Sequence, residues 1–208
     1  TRTEPIRAAV FRGKSSMCHI DVGYEECQAL RDTTREVVEK EEDLQSLETR
    51  EAELLSASQD GNETAAEARS AVMSELDSVQ AELETIQTDR NICDRFYQNL
   101  AGSPDAFYEW LHDDVRTPDE VYEWAEREGF CGYELLKDGM DGVDLVVANY
   151  HHLLDPFVRE QFFRWLGRDP EDVVAVFDEA HNVAETAREK ASKSLAELTL
   201  DGALTELA

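Results

Sequence analysis

Hydrophobic residues in the first half of the chain repeat at helical spacing. Two stretches rich in Glu, Gln, Ala and Leu, residues 26–57 and 63–90, carry apolar side chains three, four or seven residues apart. These positions are Leu30, Val37, Leu44, Leu47 and Leu54 in the first stretch and Val72, Leu76, Val79, Leu83 and Ile86 in the second. The spacing predicts two helices that pack along a narrow seam. Turn-forming residues at 58–62 favour an antiparallel hairpin, and the alternative is a free-standing coiled-coil dimer.

The region from Asp94 to Gly129 combines helical spacing with many aromatic residues. They are Phe96, Tyr97, Phe107, Tyr108, Trp110, Tyr122 and Trp124. Aromatic rings can stack on nucleic-acid bases, but a small hydrophobic core is the favoured interpretation. Within this region, Thr117 is predicted to cap a helix that has Pro118 at its first position and Glu120 at its third.

From residue 143 onward the pattern becomes that of an α/β fold. Apolar, β-branched runs at Val143–Tyr150 and Val173–Phe177 predict two strands, and Leu153–Leu166 predicts a helix between them. A strand–helix–strand unit implies parallel strands joined by a right-handed crossover. Helix resumes in the prediction at Ala184–Leu195.

Two carboxylates follow the second predicted strand directly. Asp178 and Glu179 precede Ala180 and His181, and open α/β sheets place their chemistry at the carboxyl ends of strands. One acid there can hold Mg²⁺ through water, and the other can orient or deprotonate an attacking water. The alternative is an acidic helix N-terminus without catalytic function.

The charge balance changes the interpretation of possible partners. The chain has 20 Lys and Arg against 47 Asp and Glu, a formal net charge of −27, whereas a basic surface is the usual footprint of nucleic-acid binding. A disordered acidic segment is one explanation, but 41% hydrophobic residues argue against disorder throughout. We favour adaptation to a salt-rich cytoplasm, where charge repulsion is screened. No signal peptide or membrane-spanning run is visible, so we expect a soluble cytoplasmic protein.

Four cysteines, Cys18, Cys27, Cys93 and Cys131, are the candidate metal ligands. Inside a cell, a metal site is a better interpretation of cysteines than disulfides. The predicted hairpin brings its two ends together and so places Cys27 near Cys93. Spacing alone leaves open the alternative of four unconnected buried cysteines.

Six segments, in order along the chain, resemble motifs of the XPD-type DNA helicases, the iron–sulfur branch of superfamily two. They are Gly13-Lys14-Ser15-Ser16-Met17-Cys18, Glu26-Cys27-Gln28-Ala29-Leu30, Cys93-Asp94-Arg95-Phe96-Tyr97-Gln98-Asn99-Leu100, Gly129-Phe130-Cys131-Gly132-Tyr133-Glu134, Val146-Val147-Ala148-Asn149-Tyr150 and Asp178-Glu179-Ala180-His181-Asn182. The chain departs from the family in its long acidic hairpin and in Gly132, where the family usually has Pro after the cysteine.

The resemblance implies a domain organisation. Residues 1–17 and 141–187 would belong to the first RecA-like motor domain, the second segment carrying the DEAH box. Residues 18–140 would form an inserted helical iron–sulfur domain with the hairpin at 26–90. Residues 188–208 would begin a helical arch insertion.

The resemblance also implies roles for individual residues. Cys18, Cys27, Cys93 and Cys131 would hold a 4Fe–4S cluster, with zinc as the alternative because thiolates suit both. Asp178 and Glu179 would bind Mg²⁺ and ATP, and His181 would complete the catalytic set. Lys14 would contact a DNA phosphate. His19, His151 and His152 are expected to have no catalytic or metal-binding role.

The implied function is an ATP-dependent DNA helicase of 5′ to 3′ direction. Its partners would be ATP, single-stranded DNA and the duplex junction, with no membrane, and we expect a monomer from a halophilic source. The resemblance places the P-loop and the second motor domain outside these residues, so the chain alone is not expected to hydrolyse ATP. The rival interpretations are a DinG-like iron–sulfur helicase and a non-enzymatic coiled-coil scaffold.

Overall fold

The computed structural model describes residues 6–59, 62–89 and 91–192. These residues are mostly helical and contain a small sheet. The helices are α1 (Tyr24–Gln59), α2 (Glu63–Asp89), α3 (Asp94–Ala101), α4 (Asp105–Asp113), α5 (Pro118–Glu128), α6 (Gly132–Asp138), α7 (His151–Leu154), α8 (Pro156–Leu166) and α9 (Val183–Ala191). The strands are β1 (Ala8–Val10), β2 (Val115–Arg116) and β3 (Leu145–Val147).

The three strands form a parallel sheet in the order β2-β1-β3. Ala8 is in register with Val115 on one side and with Leu145 on the other. The predicted α/β class with a parallel sheet is therefore confirmed at this coarse level. Strands β1 and β2 carry no signal in the sequence, because runs of three and two residues are too short to show an alternating pattern.

One hydrophobic core joins the sheet to the helices that surround it. Its buried members are Ala9, Phe11, Met17, Phe107, Leu111, Val121, Leu135, Leu136, Met140 and Phe162. Tyr108, Trp110 and Trp124 pack against this core, and Phe107 is fully buried in it. The aromatic region is thus a core, as predicted. The core takes residues from both the predicted motor segments and the predicted inserted domain.

Helices α1 and α2 form the predicted antiparallel hairpin. Lys40 pairs with Glu82 at 2.6 Å and Glu51 pairs with Arg69 at 2.5 Å, so the two helices run in opposite directions. The seam residues Val37, Val72, Val79 and Ile86 are buried. The predicted turn residues Asp60 and Gly61 and the predicted last hairpin residue Arg90 lie outside the described residues. Across the described part of the chain, no helix is long and apolar enough to cross a membrane.

The strand predicted at Val143–Tyr150 is shorter in the structure, and the helix predicted at Leu153–Leu166 is divided. Only β3 pairs in the sheet, and α7 ends at Leu154 before α8 starts at Pro156. Asp155 separates the two helices, because its carboxylate accepts hydrogen bonds from the first N–H groups of α8 and caps it.

The prediction of a strand at Val173–Phe177 is wrong. The segment forms no strand. Val174 and Val176 are 89% and 90% exposed. A β-branched run becomes a strand only where a neighbouring strand pairs with its backbone, and no described residue does so here. The predicted helix at Ala184–Leu195 appears as α9, and its last residues fall outside the described range.

Candidate metal centre

Four cysteines from distant parts of the sequence line one small cavity. Cys18, Cys27, Cys93 and Cys131 all contribute to its wall. All four are free thiols, with Cys93 buried and the others partly buried. The structure thus brings together the four residues that the sequence analysis selected as ligands.

The starts of helices position three of these cysteines. Cys27 lies in the first turn of α1, where its N–H donates to the carbonyl of Gly23 at 3.0 Å. Cys93 is the residue that precedes α3, and Cys131 is the residue that precedes α6. Cys18 lies in the loop that follows a short 3₁₀ turn at Lys14–Ser16. Because the N-terminal end of a helix favours negative charge, such positions suit thiolates.

Two polar side chains fix the backbone of two of these cysteines, Cys93 and Cys131. Thr34, fully buried on α1, accepts a hydrogen bond from the N–H of Cys93 at 3.0 Å and donates to the carbonyl of Leu30 at 2.6 Å. Asn99 on α3 holds Cys131 from both sides: its oxygen accepts from the cysteine N–H at 2.8 Å, and its amide donates to the cysteine carbonyl at 3.1 Å. The position of Cys93 therefore depends on α1, and the position of Cys131 depends on α3.

Burial makes the thiols of Cys131 and Cys93 poor acids. It raises the pKa of Cys131 to about 12. Burial also raises the pKa of Cys93, although the N–H groups of Phe96 and Arg95 oppose this rise. Metal ligation requires the thiolate form. A bound cation would have to stabilise the thiolate forms, so that the thiols release their protons.

Cationic side chains surround the same cavity. Lys14, Arg31 and Arg95 line it together with the four cysteines. Four thiolates carry four negative charges, so any metal group that they hold retains excess negative charge unless the metal is highly charged. The lining thus suits an anionic metal–thiolate group.

Arg31 belongs to a buried charge network. Its Nη1 donates to Glu134 at 2.5 Å, and Lys137 donates to the other oxygen of the same carboxylate at 2.7 Å. Burial disfavours the charged form of Arg31, but Glu134 and Cys27 outweigh this effect and raise its pKa. Lys137 also lies 4.8 Å from the centre of the Trp165 ring. The network connects α1 to α6 directly beside the cysteines.

Lys14, predicted to contact DNA, is engaged within the chain. Its ammonium donates to the carbonyl of Gly23 at 2.8 Å and to the carbonyl of Val22. These bonds fix the loop that leads from Cys18 to Cys27. The predicted DNA contact stays a prediction.

The arrangement of the thiols bears on which metal group could bind. Within the described residues, no group of three or more His, Cys, Asp or Glu side chains is placed to hold a single metal ion. A cluster of several irons spreads its cysteines over a larger volume than one ion does. Four thiolate donors around one cavity fit an iron–sulfur cluster, and zinc stays the alternative because thiolates suit both.

The histidines near the cavity and the sheet have structural surroundings. His19 stacks on Tyr122 with 3.9 Å between ring centres, and its Nε2 lies 3.1 Å from the Tyr122 carbonyl. His152 is buried, with its Nδ1 2.8 Å from the carbonyl of Asn149. Burial lowers the pKa of both imidazoles.

The predicted catalytic residues lie together on an exposed segment. Glu179 has a left-handed backbone with φ of 49°, and its N–H donates to the carboxylate of Asp178 at 2.9 Å. Glu179 also lies 3.2 Å from Nδ1 of His181, with both side chains about 70% exposed. A left-handed conformation is strained for a residue other than glycine. The segment thus presents two carboxylates and an imidazole side by side.

Sequence reasoning missed the residues that support the cysteines. Thr34 and Arg31 carry no signal, because each lies at a polar position of an ordinary helical pattern. Glu134 belongs to the segment around Cys131 that resembles the helicase family, but only the structure shows its pair with Arg31. Asn99 had a signal, since it belongs to the segment after Cys93 that resembles the helicase family, but only the structure shows its bonds to Cys131.

Similarity to known proteins identifies the family of the chain. The model of the DEAD_2 family matches residues 4–200. The chain is 32% identical over 90 residues to the general transcription and DNA repair factor IIH helicase subunit XPD of Schizosaccharomyces pombe, covering 43% of this chain and 11% of that protein. It is 30% identical over 121 residues to the subunit of the same name from Arabidopsis thaliana, covering 58% and 15%. It is 38% identical over 77 residues to the Fanconi anemia group J protein homolog of Gallus gallus, covering 37% and 6%.

These alignments cover at most 15% of the length of the three relatives. The family match, by contrast, covers nearly the whole chain and contains all four cysteines and the DEAH segment. The resemblance to XPD-type helicases of superfamily two is thereby confirmed, and the chain belongs to the DEAD_2 family.

Proposed function

We propose that this chain is a fragment of an ATP-dependent DNA repair helicase that moves 5′ to 3′, containing its iron–sulfur domain and part of its first motor domain. In this proposal Cys18, Cys27, Cys93 and Cys131 hold a 4Fe–4S cluster. The helices around the cluster form a rigid wedge beside the motor, where duplex DNA is separated. The names of the relatives, which are helicase and DNA repair proteins, support this assignment.

The convergence of four cysteines on one cavity carries the proposal. They are separated by as many as 113 residues, from Cys18 to Cys131, and four scattered structural cysteines would have no reason to meet. The cations that line the cavity offset the negative charge of four thiolates. When bound, the cluster would supply covalent cross-links between α1, α3, α6 and the loop of Cys18.

The chain's own residues would have distinct tasks in this arrangement. Thr34 and Asn99 hold the backbone of Cys93 and Cys131, so that each thiol faces the cavity. Lys14 fixes the loop between Cys18 and Cys27. A cross-linked domain of this kind resists deformation, which a wedge that separates base pairs requires.

The motor site is proposed at Asp178, Glu179 and His181. Asp178 would hold Mg²⁺ through water, and Glu179 would orient or deprotonate the water that attacks the γ-phosphate. His181 would couple the nucleotide site to the DNA-gripping motifs. The contact of His181 with Glu179 supports this role, because it links the imidazole directly to a carboxylate of the proposed nucleotide site.

The metal proposal is tested by anaerobic purification of the chain. We expect a brown protein with about four irons per chain, as a four-cysteine ligand set implies. Changing Cys18, Cys27, Cys93 or Cys131 singly to Ser should reduce the iron content of each variant. A colourless protein with one zinc per chain, or full iron content after any of the four changes, would refute the cluster.

A further inference from the structure

A hydrogen-bond donor beside the cysteines has no partner within the chain. Nε of Arg31 is buried and lacks a hydrogen bond, a property that only His151 Nδ1 shares among the side-chain nitrogens and oxygens of the described residues. Burying a donor without a partner costs about 1–3 kcal/mol. Such an atom in a native fold calls for a partner that the protein chain does not supply.

The rest of the Arg31 side chain is held firmly. Nη1 donates to Glu134 at 2.5 Å and Nη2 donates to Gln28 at 3.2 Å. Lys137 fixes the other oxygen of Glu134 at 2.7 Å. Because a guanidinium is planar, anchoring both terminal nitrogens also fixes the direction in which Nε–H points.

Arg31 lies one helical turn after Cys27 on α1. Side chains four residues apart share a helix face, and both residues line the cavity of the four cysteines. The side chain of Arg31 is only 12% exposed, so water has little access to it. The residue that carries the free donor therefore lies in the wall of the cavity, one helical turn from one of its cysteines.

We propose that Nε–H of Arg31 donates a hydrogen bond to a sulfur atom of the metal site, at Cys27 or at an inorganic sulfide beside it. This inference rests on the proposed iron–sulfur function. Arg31 is then a positioning residue that tunes the cluster. Glu134 and Lys137 hold it in place from α6.

A hydrogen bond to sulfur has two measurable consequences. It withdraws negative charge from the sulfur, which favours the reduced and more negative state and raises the reduction potential. It also stabilises the ligated thiolate against protonation and loss. Removing a hydrogen bond to a charged acceptor typically costs enough to change an equilibrium or a rate about ten- to a hundredfold.

The experiment compares Arg31→Lys, Arg31→Gln and wild type in the whole chain. Arg31→Lys keeps the positive charge for Glu134 but has no Nε–H. Arg50→Gln is the matched control, because Arg50 lies on the same helix and is exposed. Iron per chain, the reduction potential of the cluster and the rate of iron loss to a chelator are measured, with circular dichroism as a check on folding.

We expect Arg31→Lys to load iron, to have a more negative reduction potential, and to lose iron roughly ten times faster than wild type. Arg50→Gln should match wild type. If Arg31→Lys also matches wild type, the hydrogen bond to sulfur is refuted, even if Arg31→Gln loses iron, because that loss would reflect the broken pair with Glu134. If the wild-type chain binds no iron, the proposed function is refuted together with this inference. If the wild-type chain binds iron and Arg31→Lys behaves like it, only this inference is refuted.

Discussion

Single polar side chains hold the cysteines of the candidate metal centre in place. The thiols face one cavity because neighbouring residues fix their backbone, as Thr34 does for Cys93 and Asn99 for Cys131. A buried hydrogen bond of this kind contributes modestly when made, but leaving its donor unpaired is costly. The centre should therefore be sensitive to substitutions at positions that never touch metal.

Thr34 offers a direct test at this scale. Thr34→Val preserves the shape of the side chain but leaves the N–H of Cys93 without its partner, so we expect a loss of about 1–3 kcal/mol in the free energy of unfolding. Thr49→Val is the matched control, because Thr49 makes the same bond to the carbonyl four residues earlier but is exposed. The control should change stability by less than about 0.5 kcal/mol. Urea unfolding of both variants measures the difference, and equal losses would show that Thr34 has no special role.

Local motifs with a defined geometry could be predicted from the sequence, whereas long-range polar contacts could not. Thr117 caps α5 as predicted and forms a capping box with Glu120, since cap and partner are three residues apart in the same segment. Thr34 and Cys93 are 59 residues apart. Nothing in the sequence around either residue encodes their contact, which exists only because α1 and α3 pack together.

The hairpin has an inner part that contacts the candidate metal centre and an outer part that lies farther along both helices. The inner part of α1 carries Arg31 and Thr34, and Glu41 accepts a hydrogen bond from Tyr97 of α3 at 2.6 Å. Farther along α1, Glu51 pairs with Arg69 of α2. The long hairpin is therefore expected to tolerate change only in its outer part.

Truncation of the hairpin tests this division. Residues 45 and 76 lie opposite each other, because Lys40 pairs with Glu82 and Glu51 pairs with Arg69. Replacing residues 45–76 with a short Gly/Ser turn should leave iron content unchanged. Replacing residues 31–89 should abolish iron binding, since it removes Thr34 and the pair of Arg31 with Glu134. The measurement is iron per chain after anaerobic purification.

A different result for either truncation would be informative. If the short truncation lost iron, the outer hairpin would be part of the scaffold. If the long truncation kept iron, the contacts of α1 with Cys93 and Glu134 would be dispensable, and the inner part of the hairpin would have no role at the centre.

The two predicted strands show where hydrophobic pattern succeeds and fails at the scale of elements. Val143–Tyr150 and Val173–Phe177 have the same apolar, β-branched character, yet only the first contains a strand that pairs. Leu145–Val147 pairs with β1, whereas Val173–Phe177 has no pairing strand among the described residues. Pattern identifies a segment that favours extended backbone, but pairing depends on the remainder of the sheet.

Charge acts on the whole molecule. At −27, mutual repulsion of the surface carboxylates should destabilise the fold when salt is removed, since the Debye length grows from about 3 Å at 1 M to about 30 Å at 0.01 M. We expect the melting temperature to rise steadily with KCl over this range. A triple variant combines Glu48→Gln, Glu53→Gln and Glu75→Gln, all at exposed positions of the hairpin. Its melting temperature should depend less on salt. A melting temperature that is flat in salt would contradict adaptation to a salt-rich cytoplasm.

Under the proposed function, catalysis concerns the whole enzyme, because the DEAH segment and the candidate metal centre would act within one helicase. In the full-length enzyme, Glu179→Gln should abolish DNA-stimulated ATP hydrolysis and leave ATP binding intact, since the amide keeps the size of the side chain but cannot act as a base. Asp178→Asn should instead weaken Mg²⁺-dependent nucleotide binding, because Mg²⁺ loses an anionic partner in its shell. Glu185→Gln is the matched control, as it removes an exposed carboxylate from the following helix α9. Phosphate release and equilibrium nucleotide binding are measured for each variant. Hydrolysis by Glu179→Gln at the rate of wild type would show that this segment is not the catalytic site.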